Sequence, residues 1–432
     1  METVEAWTLI PFAVMLLMIA VAPLAAETFW EKNRNKLICT LIIAVPTAIY
    51  LICAGFGHEL SHQVFGDYVP FIILLLSLFV VTGGIQIKGD IQASTPVNSL
   101  ILILGYILAS FMGTTGAAML LIRPLLEINK QRKYKTHTVL FFIAMVANAG
   151  GVLSPLGDPP LFLLYLRGAP FTWFSSLFHE WLFVGFALLI IYGIWDNIML
   201  KKEPLSNKIA DIQEHSPIRI KGRVNFLWLG LILASVILLN EQYIPEMSSE
   251  HPRFFVKYIR EIVLLVVVAL SLITTPGPVR KNNNFSWSPI LEVAILFVGI
   301  FVTMTPALMF LKANAPALGL TEPWQFYYST GLLSSFLDNS PTAVAFHSVA
   351  SGLYPEVAEG FVAGIPESML SAISLGAVFF GAMTYIGNGP NFMVKAIAEQ
   401  SGVKMPGFFA YIVKFSLIVL LPVFIAVQLI FV

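Results

Sequence analysis

The sequence predicts an all-α polytopic membrane protein built from inverted repeats, each holding a re-entrant hairpin and a discontinuous transmembrane helix. Three observations lead there. Hydrophobic residues make up 57% of the 432 and charged residues only 12%, about half the charged share of a soluble protein. Apolar runs approach or exceed the roughly 20 residues that span a bilayer. They are continuous rather than alternating, which excludes a β-barrel. Finally, some of the most apolar runs are interrupted by Gly, Pro, Asn and Asp, and these interruptions occur twice in the same order.

The apolar segments fall at about 7–26, 37–55, 68–87, 97–126, 138–167, 173–198, 225–241, 258–276, 288–311, 325–352, 368–398 and 408–432. Segments 97–126 and 325–352 are long for one crossing and carry a polar or glycine-rich knot, "GTTGAA" at 113–118 and "DNSPT" at 338–342. Either could be one tilted helix or a hairpin that enters and leaves on the same side. Charge decides between these, because cytoplasmic loops collect Lys and Arg. The basic clusters are Lys32/Arg34/Lys36, Lys130/Arg132/Lys133/Lys135, Lys201 through Arg223, and Arg280/Lys281. The acidic loops carry Glu59 and Asp67, Glu246 and Glu250, and Glu356, Glu359 and Glu367. If both segments are hairpins, every basic cluster lands on one side and the N-terminus lies outside; a full crossing at 97–126 would put the 130–135 cluster opposite the 201–223 cluster unless a later span were re-entrant.

The hairpins open to opposite sides. Each is followed by a long segment with a break, "GDPP" at 157–160 and "GNGP" at 387–390, so Gly387 lies 230 residues after Gly157. The order span, hairpin, broken span, span therefore recurs with reversed orientation, as in secondary transporters. The expected organisation is scaffold helices over 1–67, a first repeat over 68–198, a cytoplasmic linker over 199–224, further scaffold over 225–287 and a second repeat over 288–432. The hairpins are 97–126 and 325–352, and the broken helices 138–167 and 368–398.

Backbone without helical pairing is tolerated at membrane depth only beside a cavity or inside protein. Pro155, Pro159 and Pro160 remove amide donors, and Gly150, Gly151 and Gly157 let the chain turn. Freed carbonyls could coordinate a cation, and half-helix N-termini could hold an anion. The architecture alone does not choose between them. Asp158 in the first break and Asp338 at the second hairpin tip are costly at membrane depth, about 2.5–3.5 kcal/mol each, which marks both as candidate Na⁺ ligands. Either could also cap the helix that follows it. Asn148, Ser154, Asn339, Ser340, Thr342, Thr384, Asn388 and Asn391 supply neutral oxygens near the breaks, and hard oxygen ligands suit Na⁺. Thr114 and Thr115 line the same chamber from the first hairpin, unless their hydroxyls bond back to the helix.

Other polar residues fit the bland reading better. His347 reads as a packed histidine, His58 and His62 as solvated, Glu292 as facing the interface, and Lys395 as reaching for the surface. Trp7, Trp30, Trp173 and Trp324 sit near span ends as interfacial anchors. Cys39 and Cys53 read as small buried hydrophobes. No basic region precedes the first span, so no cleavable signal is expected. The net charge of zero gives no reason to expect a nucleic-acid partner. No phosphate-binding or dinucleotide glycine motif stands out, so no cofactor is expected beyond Na⁺ as transported or coupling ion. The bilayer and a small ion or solute are the expected partners, and a bacterial inner membrane the expected location.

At these residues the chain resembles the ion transporter superfamily, which includes NhaD-type sodium/proton antiporters, arsenite permeases and dicarboxylate/sodium symporters. "NAGGVLSPLGDPP" looks most like the NhaD-type pattern, matching Asn148 and Asp158. "FLDNSPT" matches the second hairpin tip at Asp338 and Asn339, and "YIGNGPN" the second broken helix at Asn388 and Asn391. The resemblance covers roughly residues 68–430. It implies a homodimer with a scaffold and a mobile transport domain, working by alternating access. One departure stands out: NhaD-type antiporters carry an Asp-Asn pair at the first tip, where this chain has Thr114 and Thr115. Threonines there tolerate an anionic substrate better. The expected activity is sodium/proton antiport with Na⁺ and H⁺ competing for the aspartates. The alternative is cation-coupled transport of an anion or weak acid, a metalloid oxyanion or dicarboxylate. An intramembrane enzyme using Asp158 and Asp338 as an acid pair fits worst, because no catalytic motif surrounds either.

Overall fold

The computed structural model describes residues 4–213, 216–249, 253–355 and 358–432. Glu250 and Glu356, counted above among the acidic loops, lie outside them. The chain is an all-α polytopic membrane protein, and eight helical stretches among the described residues are long and apolar enough to cross a membrane.

Shorter connecting helices aside, the helices that build the fold are α1 Leu9–Ala25, α2 Asn33–Cys53, α3 Val69–Thr82, α4 Thr95–Met112, α5 Thr114–Ile128, α6 Thr136–Met145, α7 Pro159–Leu166 and α8 Phe178–Lys202. The same succession follows as α9 Val224–Leu238, α10 Ile259–Thr274, α11 Ser288–Ala313, α12 Pro323–Phe336, α13 Asn339–Leu353, α14 Glu367–Phe380, α15 Gly389–Gln400 and α16 Leu421–Phe431. Two outer helices, an opening span, a hairpin, a broken span and a closing helix thus occur twice. This recurrence takes in 7–55 and 225–276, which the sequence pattern alone left outside the repeats. The outer helices cross over: α1 and α2 pack on α11, whereas α9 and α10 pack together and α10 lies on α3.

Local chemistry sets the hairpins. Ser94 caps α4, accepting from the Val97 amide at 3.4 Å, and Pro96 fits the first turn, where no amide donor is needed. Gly113 turns the chain between α4 and α5 with φ +79°, a conformation that side chains with a Cβ resist. The two arms end together, because Asn98 and Asn129 exchange amide hydrogen bonds at 2.9 and 2.8 Å. In the second hairpin Glu322 and Gln325 form a capping box ahead of α12, and Gly352 near the end of α13 lies against the Lys312 carbonyl that precedes the hairpin.

Contacts between loops define two faces. On one face Lys36 pairs with Glu292 at 2.6 Å, Lys130 with Asp90 at 3.1 Å, and Glu203 accepts from the Lys133 and Tyr134 amides. Strands β1 Gln86–Asp90 and β2 Ser216–Lys221 pair there antiparallel, tying the 199–224 segment to the first half. These contacts bring the basic clusters together. On the opposite face Arg167 meets Asp67 at 3.4 Å and the Trp173 indole donates to Glu367 at 2.9 Å.

Glu292 stays part-exposed while it pairs with the buried Lys36, and Lys395 reaches the exposed Glu399 one turn on, at 2.9 Å. Two local expectations need correcting. Cys53 is exposed and Cys39 only half-buried, so neither is a buried hydrophobe. Trp30 and Trp173 are buried, whereas Trp7 and Trp324 are exposed as anchors should be.

A buried ionic knot holds the first half together on the basic face. Asp196 on α8 is fully buried and receives Arg132 at 2.8 Å, His137 at 2.8 Å and the Thr95 hydroxyl at 2.7 Å. Removing one partner strands the other charges in a low-dielectric setting. Asp196→Ala is therefore expected to destabilise the protein by roughly 3 kcal/mol, seen as a lower melting temperature of purified protein in detergent. Unchanged melting would show the knot to be dispensable.

Candidate functional site

The two breaks lie where the structure is most enclosed. The stretch Thr136–Leu153 is 89% buried, against 11% for Ala6–Pro23 in the outer helix. Between α6 and α7 the chain runs through a short 3-10 turn, Ala149–Leu153, and then a non-helical turn closed by the Gly157 amide on the Ser154 carbonyl at 3.0 Å, up to Asp158. Between α14 and α15 it passes a 3-10 turn over Gly381–Met383 and unwinds to Asn388.

Break and hairpin exchange hydrogen bonds in the same way twice. The Ser154 hydroxyl donates to the Ser110 carbonyl on α4, and the Thr384 hydroxyl donates to the Ser335 carbonyl on α12. The Ser110 hydroxyl returns a bond to Gly150 at 2.5 Å, and that of Ser335 reaches Phe380 at 3.3 Å. Break positions 150, 154 and 158 thus match 380, 384 and 388, each 230 residues on, while hairpin positions 110 and 114 match 335 and 339, each 225 residues on. Small size is essential here. A Cβ on Gly157 would lie 2.0 Å from the Gly151 carbonyl oxygen, and one on Gly387 2.6 Å from that of Ser334.

Asp158 stands at the centre, 1% exposed. It accepts from the Thr114 hydroxyl at 2.6 Å, from the Asn339 amide at 2.6 Å and from the Asn388 amide at 3.1 Å. The Thr114 backbone amide also donates to the Gly157 carbonyl at 2.8 Å. Asn148 ties the two breaks, donating to Asn391 at 2.7 Å and accepting from Asn388 at 3.2 Å. Asn391 in turn holds the Gly381 and Thr384 carbonyls at 2.7 and 2.9 Å. One carboxylate therefore sits among four helix starts: Thr114 opens α5, Asp158 precedes α7, Asn339 opens α13 and Asn388 precedes α15. Each start carries about half a positive elementary charge.

The structure divides the expected site residues into groups. Thr114, Asn148, Asp158, Asn339, Asn388 and Asn391 form one hydrogen-bonded cluster. Thr115 makes no side-chain hydrogen bond there, but lines a cavity of about 100 Å³ beside Thr114 and Asp158, closed by Leu78 of α3 and Val293 of α11. Ser154 and Thr384 are committed to the frame. Asp338 is only half-buried and caps α13, accepting from the Ser340 amide at 2.9 Å. Thr342 bonds back to the Asp338 carbonyl at 2.9 Å and Ser340 to Asn339 at 3.4 Å. The two carboxylates are thus used differently: the bonds to Asp158 among the described residues come from neutral donors. Ser110 and Ser335 were not singled out by the sequence. Their signal is a serine four residues before the tip residue in both hairpins, Ser110 to Thr114 and Ser335 to Asn339, and it is visible only once the halves are aligned.

A polytopic helical fold with two broken spans crossing at a buried polar cluster belongs to the class of membrane transporters. The chain is a member of the family described as putative citrate transport, whose model matches residues 1–432, the whole chain. It is also similar to two uncharacterized transporters, one of Mycobacterium bovis and one of Mycobacterium tuberculosis. Each is 23% identical over 414 residues, covering 88% of this chain and 89% of the relative.

Proposed function

We propose that this transporter carries a small carboxylate anion, citrate or a relative, coupled to a cation bound at Asp158. The observation that carries this reading is the single carboxylate among four helix starts. Four partial charges of about half a unit outweigh one aspartate, so the cluster can hold a cation on Asp158 and still attract an anion. Na⁺ would draw on the Asp158 carboxylate and the Thr114 hydroxyl oxygen, both hard ligands. The family description supports the anion class. Two breaks joined in one hydrogen-bonded cluster, and the twofold order of the elements, support alternating access. By the excess of basic loops, the basic face lies in the cytoplasm and the N-terminus outside, in a bacterial inner membrane, with a homodimer as the working unit.

The test is uptake of labelled citrate into proteoliposomes under an inward Na⁺ or H⁺ gradient. Accumulation that vanishes when the gradient is collapsed is the expected result; absence of gradient-driven uptake rejects the reading. A second reading, exchange of Na⁺ for H⁺ without organic cargo, is favoured by the deep burial of Asp158, since a buried carboxylate is best neutralised by a cation or a proton. An internal pH dye responding to Na⁺ in citrate-free vesicles would establish it instead.

A further inference from the structure

A cavity of about 1250 Å³ opens on the face opposite the basic clusters. Its wall brings together Arg167 at the end of α7, His347 on α13 and Lys312 on α11. Two of these carry polar atoms that no described residue satisfies. His347 is 5% exposed and its Nδ1 has no partner; the Nε of Arg167 is likewise buried and unpaired. A buried polar atom without a partner calls for an explanation.

Charge at this wall is available rather than spent. Arg167 touches Asp67 once, at 3.4 Å, while Gln63 holds the same carboxylate oxygen more closely at 2.9 Å. Arg260 and Glu261, further round the cavity, neutralise each other at 2.6 Å. Glu59, Glu241 and Lys257 also line it. Lys312 is exposed and lines the same cavity as Arg167 and His347.

The hydrogen bond from His347 Nε2 to the Ala363 carbonyl, 2.9 Å, fixes the ring. A carbonyl only accepts, so Nε2 carries the hydrogen and the neutral ring has its lone pair at Nδ1. The wall therefore presents cationic donors beside one neutral acceptor. A plain carboxylate satisfies the first and not the second. A molecule with both a carboxylate and a hydroxyl satisfies both.

We infer that this vestibule holds a binding subsite for a hydroxycarboxylate, its carboxylate on Arg167 and Lys312 and its hydroxyl donating to Nδ1 of His347. The inference rests on, and narrows, the anion-carrier reading above. The place suits a waiting position. His347 and Arg167 lie eight and nine residues along α13 and α7 from Asn339 and Asp158, roughly 12–14 Å at 1.5 Å per residue. The two helices pack on each other, so the subsite and the Asp158 cluster share one pair of supports.

The test is calorimetric binding to the purified full-length protein, comparing citrate with tricarballylate, which lacks the hydroxyl. It is done on the wild type and on Asp158→Asn, where the central site is disabled. Citrate is expected to bind Asp158→Asn and to be preferred roughly tenfold, the worth of one satisfied hydrogen bond. His347→Phe should erase the preference, and Lys312→Gln, at an exposed position, should weaken both ligands. Equal affinity for the two acids, or a preference that survives His347→Phe, overturns the subsite. Inorganic phosphate competing as well as citrate also overturns it, since the wall would then select only charge. The two readings separate cleanly. Citrate uptake by vesicles without binding to Asp158→Asn defeats the subsite alone. Selective binding to Asp158→Asn by a protein that moves no organic anion defeats the carrier reading alone.

Discussion

Asp158→Asn abolishes gradient-driven uptake, by at least on the order of 100-fold, while leaving the protein folded. Even outer-shell partners of a bound metal ion are worth 10–100-fold, and Asp158 is the one carboxylate in the hydrogen-bonded cluster. The asparagine is nearly isosteric, and its carbonyl oxygen still accepts from Thr114 and Asn388; its NH2 faces the Asn339 amide, and a flip of that amide turns the pair into donor and acceptor, so the backbone frame around Gly151 and Gly157 stays in place. The measurement is labelled citrate uptake in proteoliposomes, with size-exclusion profiles to confirm folding. Undiminished accumulation in this variant removes Asp158 from the coupling site. Asp338→Asn makes the contrast. Asparagine caps a helix as well as aspartate does, and Asp338 is used as the cap of α13. That variant should keep uptake within a few fold. Loss of uptake there would bring back a scheme in which both aspartates hold the ion.

The second large effect is steric. Gly157→Ala places a Cβ 2.0 Å from the Gly151 carbonyl oxygen, where no side chain can give way because the neighbour is backbone. The two strands of the break must part, and with them the bond from the Thr114 amide to Gly157. Overpacking of this kind costs roughly 3 kcal/mol or more, and the expected result is a steep fall in melting temperature or in folded yield. Gly389→Ala is the control, since nothing lies within 4 Å of its Cβ position. Equal stability of the two variants would mean that the break is loosely packed, contrary to its burial.

Much of the fold was legible because a bilayer enforces local rules. A helix satisfies its own backbone, so each run of about 20 apolar residues declares a span. Where Gly, Pro, Asn and Asp intrude, as at 148–160 and 384–391, only a break beside polar partners is tolerable, and breaks were found at both. The basic clusters at 32–36, 130–135, 201–223 and 280–281 share one face as the charge pattern required. Less legible were the partners. Ser110 and Ser335 look like ordinary helical serines, and Glu292 gives no local sign of Lys36, since their pairing depends on how α2 lies against α11. Trp173 has the composition of an anchor but lies over Glu367, 194 residues away.

The sequence by itself determined the class of protein, the number and place of the interruptions, and the twofold order of hairpin and broken span, though not the place of the outer helices in it. These follow from short-range physics: hydrogen bonds closed within a helix, the cost of polar groups in hydrocarbon, and the charge of loops. Only the tertiary structure decided what the two aspartates do. Asp158 gathers donors from residues 114, 339 and 388, whereas Asp338 turns to its own helix. The reason is that a carboxylate at a helix start can serve the local amides or a distant neighbour. The packing of one half against the other selects between them, and no local stretch of sequence encodes that packing.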